Sequence, residues 1–152
     1  MPAGFSSLWQ SLREELGRYY SISHEAVGAR CQQAALEVET DWRAVNVSSE
    51  AEIRECYRDN EWCAFDVADW HTALYGRRFL DIVLCSAAAK TLGLSDYLDY
   101  GSGIGSHGIH MAAQGFSVTL ADVSPGLFDS CRWRFETRRL SATLMDLSLI
   151  HI

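Results

Sequence analysis

The chain has 152 residues, of which 48% are hydrophobic and 22% charged, the balance of a soluble globular domain with material for a sizeable core. Its formal net charge of −7 argues against nucleic acid or an anionic membrane surface as a partner. With no signal-like charged-then-apolar pattern and no apolar run of roughly eighteen residues, the expected compartment is a reducing cytoplasm.

The first 93 residues read as helices. Trp9, Leu12, Leu16 and Tyr20 follow helical spacing, as do Val27, Cys31, Ala34 and Val38. Ser49 and Glu52 have the spacing of a capping box ahead of a helix carrying Ile53 and Tyr57. Cys63, Val67, Trp70 and Leu74 mark another apolar stripe. Residues 77–92 form a strongly apolar helix that ends at Gly93 and is expected to pack on a sheet. Cysteines 31, 56, 63, 85 and 131 are odd in number and lack Cys-x-x-Cys spacing, so they read as reduced, mostly buried thiols. Histidines 24, 71, 107, 110 and 151 make no metal set.

From residue 94 the pattern changes. Tyr97 to Tyr100 reads as a buried parallel strand, and residues 101–105 as a turn rich in glycine. A short helix follows over 106–114, with Gly115 to end it. Ser117 to Ala121 is a second strand ending at Asp122. Ser124 suits an N-cap and Pro125 a first helical position, and the helix from about 126 to 139 places Leu127, Cys131 and Phe135 on one face. Residues 142–145 form a third strand ending at Asp146. The expected fold class is therefore α/β, with N-terminal helices followed by a partial Rossmann-like β-α-β-α-β sheet.

The stretch Asp99-Tyr100-Gly101-Ser102-Gly103-Ile104-Gly105 carries the chemistry. Glycines there let a backbone approach a ligand closely, and the helix that follows offers free amides and a favourable dipole to an anion. Asp122 lies 21 residues after Gly101, near the spacing at which a carboxylate meets ribose hydroxyls. Residues 103–108 also satisfy G-x-G-x-x-G, so the glycines alone leave a nicotinamide or flavin dinucleotide open as the ligand.

Asp99 before three alternating glycines, Asp122 at the next strand end and Asp146 after the third strand resemble class I S-adenosylmethionine (SAM)-dependent methyltransferases over roughly residues 79–147. The resemblance implies a SAM site made by Asp99, Tyr100, Gly101, Ser102, Gly103 and Gly105, with Asp122 on the ribose, Val123 against the adenine, and Asp146 and Leu147 at the third-strand end. It further implies that the helices of residues 1–93 cap the partial SAM-binding region 94–152 within one integrated domain. Tyr19, Tyr20, Trp70 and His71 are then candidates for an acceptor pocket, in competition with ordinary core packing. Such a fold needs at least four more strands, while 47 residues follow Gly105. The chain thus resembles the N-terminal portion of a methyltransferase, with residues 148–152 as the only candidate start of a fourth strand. The functions in view are methyl transfer to a small-molecule acceptor, a non-catalytic SAM-binding subunit completed by itself or a partner chain, and an NAD(P)-binding oxidoreductase fragment.

Overall fold

The computed structural model describes residues 5–72 and 77–147. The chain divides into two compact units, residues 1–76 and 77–152, so the helix after residue 77 belongs with the sheet.

The first unit is helical: α1 (Phe5–Tyr20), α2 (His24–Ala44), α3 (Glu50–Asp59) and α4 (Cys63–Thr72). Leu12, Leu16, Val27, Cys31 and Ala34 are buried, as their spacing predicts. On α4 the buried face is Ala64, Phe65 and Ala68, one step round from the expected stripe, and Trp70 is 54% exposed. The two alanines let neighbouring helices come close, which large residues cannot do. Leu74 of that stripe lies outside the described residues. Ser49 caps α3 by accepting the Glu52 N–H at 3.3 Å, but the Glu52 carboxylate accepts from the Asn46 amide at 3.0 Å and not from the N-cap amide.

The second unit holds α5 (Arg77–Thr91), β1 (Asp96–Tyr100), α6 (Ser106–Ala113), β2 (Ser117–Asp122), α7 (Pro125–Thr137) and β3 (Thr143–Asp146). The three strands are parallel in the order β1-β2-β3, the expected partial Rossmann-like sheet. Two glycines end helices as their conformational freedom allows: Gly93 has φ 71° and Gly115 φ 90°. At the second, the Phe116 N–H reaches Met111 O at 3.1 Å and the Gly115 N–H reaches Ala112 O at 2.9 Å, a Schellman pair. Ser124 caps α7 through the Leu127 N–H at 3.4 Å, with Pro125 next.

One sheet face is filled. Val118, Leu120, Met111, Cys131, Phe135 and Ile82 form a continuous core, joined by Tyr97 and Leu144. The other face corrects the expectation of a buried first strand. Leu98 is 58%, Tyr100 69% and Met145 43% exposed. Alternation puts these three on the face opposite Val118 and Leu120, and Tyr100, Ala121 and Met145 stand in register across the sheet. Among the described residues no strand pairs with the outer edge of β1. The expected fourth strand at 148–152 lies outside the described residues.

Candidate functional site: a glycine loop held from three sides

The loop between β1 and α6 bends over the carboxyl end of β2. The Gly101 and Ser102 amides both donate to Ala121 O, at 2.8 and 3.1 Å. The Gly103 N–H donates to Asp122 Oδ2 at 2.7 Å. The Gly105 N–H closes a turn onto Ser102 O at 2.8 Å, and Gly105 O accepts the Ile109 N–H as α6 begins. Gly101, Gly103 and Gly105 have φ of 75°, 53° and 70°, values that side-chain-bearing residues rarely adopt.

The glycines differ in what lies beside them. A side chain at Gly101 would find no atom of the described residues within 4 Å of its Cβ, so that side of the loop is open to them. A Cβ at Gly105 would lie 2.5 Å from Cys131 Sγ, and one at Gly108 would run into Leu120. Gly105 is therefore required by the approach of α7, and Gly108 by the packing of α6 on β2.

The acids sit at strand ends. Asp122 is 7% exposed, and its Oδ1 also accepts the Val123 and Ser124 amides at 2.8 and 3.1 Å. This carboxylate organises both the glycine loop and the start of α7. Asp146 stands beside it in the β2–β3 register, with half-buried Leu147 next. Asp99 is half-buried on the filled face, and the Gly108 amide donates to it. Burial raises its pKa, a shift opposed by His107 and the Gly108 bond and reinforced by Asp122. Tyr100 points from the other face into solvent. Ser102 is buried, and its hydroxyl has no hydrogen-bond partner among the described residues.

The back of the loop is held by residues that spacing did not single out for this role. The Cys131 thiol donates to Gly103 O at 3.3 Å. The Arg134 guanidinium donates to Ile104 O, and to Ser106 Oγ at 3.2 Å. Arg134 is 5% exposed, and desolvation lowers its pKa to about 10. Burial pushes the Cys131 thiol up to about 12, so it stays a protonated donor. The signal was present in the sequence: 127, 131 and 134 share a helical face, although an arginine there reads as a solvated residue.

Tyr19, Tyr20, Trp70 and His71 lie in the first unit. Tyr20 packs against Tyr19 and Phe65, each with ring centroids 4.9 Å apart, as a helical aromatic ordinarily does. The Trp70 and His71 ring centroids are 6.1 Å apart. A cleft of about 380 Å³ lined by Phe135, Glu136, Leu140 and Ala142 opens at the amino-terminal end of β3, away from the glycine loop. Among the described residues no three His, Cys, Asp or Glu side chains are grouped to hold a metal ion, and no helix is long and apolar enough to cross a membrane. All five cysteines are free thiols.

No family model matches the chain, and no curated protein does. One solved structure with a weak likeness to it comes from work on the conversion of a disulfide bond into a thioacetal group during echinomycin biosynthesis. Identity is 30%, the match covers 41% of this chain and 28% of that one, and the TM-score is 0.36. The chain thus spans little more than a quarter of that structure's length, and a likeness at this TM-score establishes neither fold nor activity.

Proposed function

We propose that this chain is the cofactor-binding portion of a SAM-dependent methyltransferase acting on a small-molecule acceptor in the cytoplasm. The observation that carries the reading is the arrangement at the carboxyl edge of the sheet. Asp99 stands one residue before the end of the first strand, three left-handed glycines cross over the second, and Asp122 and Asp146 close the second and third. Ligands of open parallel sheets bind outside this edge. The residues fit such a ligand: among the described residues the buried Ser102 hydroxyl has no partner and nothing fills the space beside Gly101. SAM would supply an activated methyl group. The protein's part is to orient it, with Asp99 toward the ligand's ammonium group, Asp122 toward ribose, and Val123, Asp146 and Leu147 around adenine. Methyl transfer would then be an in-line displacement, for which positioning supplies much of the rate.

The dinucleotide alternative is disfavoured by Gly105. In the dinucleotide fingerprint the second glycine makes room for the pyrophosphate. Gly105, second in the stretch 103–108, has its open side filled by Cys131. Calorimetry with S-adenosylhomocysteine and NAD tests the reading: tighter binding of NAD would reverse it.

A partner-completed form is favoured by a separate observation. The outer edge of β1 is unpaired among the described residues, and Leu98 and Tyr100 are exposed beside it. Parallel sheets are ordinarily covered on both faces. A segment supplying a strand and a covering helix, from a second copy or another chain, would complete this one. Mixing experiments that restore methyl transfer only with such a segment would support this form; full activity of a monomeric 152-residue chain would exclude it.

A further inference from the structure

The loop is gripped from behind by two donors whose targets are adjacent peptide carbonyls. Cys131 Sγ donates to Gly103 O at 3.3 Å, and Arg134 donates to Ile104 O and, at 3.2 Å, to Ser106 Oγ. Both donors lie on α7, and Cys131 reaches the loop because Gly105 has no side chain where the thiol sits. A trans peptide points its carbonyl and its N–H in opposite directions. Drawing Gly103 O toward α7 therefore turns the Ile104 N–H away from α7, to the side of the loop that the helix leaves free. Asp122 fixes the peptide on the other side of Gly103, through its N–H at 2.7 Å. Two consecutive peptide planes are thus set by side chains from β2 and α7.

We infer that Arg134, assisted by Cys131, is a positioning residue that holds the 103–105 backbone in its ligand-receiving conformation. This inference rests on the cofactor reading for its consequence, though not for its geometry. A buried arginine is a costly way to fill a core, and its methylene stem could have been replaced by an apolar side chain. What the guanidinium adds is a donor to Ile104 O and Ser106 Oγ, at the junction of loop and helix. The same guanidinium nitrogen ties the end of the loop to the first turn of α6, so loop shape and the direction of the α6 amides are set together.

The test compares Arg134→Met, which keeps the bulk and removes the donors, with Arg134→Lys, which keeps a donor. Amide hydrogen exchange is followed in the unliganded chain, and S-adenosylhomocysteine affinity by calorimetry. In Arg134→Met, exchange at Gly103 and Gly105 is expected to rise at least about tenfold while the β2 amides of residues 118–121 stay within about twofold. Affinity should fall at least about tenfold, and Arg134→Lys should recover part of both losses. A uniform rise across loop and sheet would show a role in general stability only and overturn the inference, as would unchanged exchange at Gly103 and Gly105. Cys131→Ala should give the same local pattern at smaller amplitude, and it decides the question if Arg134→Met does not fold. If the parent chain binds no S-adenosylhomocysteine while Gly103 and Gly105 still loosen in Arg134→Met, the cofactor reading falls and the positioning role stands.

Discussion

Asp122 Oδ2 accepts the Gly103 N–H at 2.7 Å, joining the end of the second strand to the middle of the glycine loop across 19 residues of sequence. The carboxylate expected to face a ribose is therefore also a structural clamp. Its second oxygen serves two further amides, which set the entry to α7.

Asp122→Ala should consequently do two things. It strips the buried Gly103 amide of its acceptor, which should lower stability by about 2–3 kcal/mol in urea denaturation. It should also weaken S-adenosylhomocysteine by roughly 1.5–3 kcal/mol, with a smaller loss for an analogue lacking the ribose hydroxyls. Equal losses for the two ligands would assign the residue to the clamp alone.

Gly105→Ala should be among the most damaging single-methyl additions. The left-handed backbone costs about 1–2 kcal/mol, and crowding of Cys131 Sγ adds about 1–3 kcal/mol. Gly101→Ala, with the same backbone handedness and open space around it, should incur the backbone cost only. A double-mutant cycle with Cys131→Ala checks the assignment: relief of the clash makes the paired loss smaller than the sum of the single losses.

Much of this site could be read before the fold was known. The glycine spacing, the Ser124-Pro125 start of α7 and the stop at Gly115 are local chemistry, and each forms as its residues dictate. What escaped reading is non-local. Arg134 is buried because a loop 30 residues earlier presents a carbonyl to it, which helical periodicity does not encode. Leu98 and Tyr100 look like core residues because an apolar strand ordinarily has two covered faces. On α4 the buried side is marked by Ala64 and Ala68 around Phe65, and not by the stripe of Cys63, Val67 and Trp70.

Asp99→Asn should separate stability from binding. The folded pKa of Asp99 lies above its ordinary value of 3.8. Its contribution to stability is therefore full below that pH and is lost as pH rises through the folded value. At neutral pH the charged form is a net cost, so the asparagine variant should be at least as stable as the parent. Its affinity for a ligand bearing an ammonium group should nevertheless fall on the order of tenfold or more. Parallel thermal melts and titrations at pH 7 check the opposite signs.

His110 gives the acid limb of stability a definite sign. Its ring Nε2 lies 3.1 Å from Ser86 Oγ, and the Ser86 hydroxyl donates to Val83 O, so the ring nitrogen is the donor. Burial foremost, with His107 and Lys90, lowers its pKa from 6.5. The unfolded chain thus takes up the proton first. The contribution is full above that value and declines as pH falls through the lowered one. His110→Gln should flatten the dependence of the urea midpoint between about pH 7.5 and about pH 5 relative to the parent.

The open face of the sheet bears on how this protein behaves in the tube. Leu98, Tyr100 and Met145 present oil to water next to a strand whose outer amides and carbonyls have no neighbour among the described residues. Such a surface is expected to recruit its like, and colloidal stability should then depend on concentration more than on the depth of the folding well. A charge placed there acts as a gatekeeper. Leu98→Lys should raise the concentration at which light scattering sets in while leaving the glycine loop's affinities unchanged, because Leu98 faces away from the packed side of the sheet.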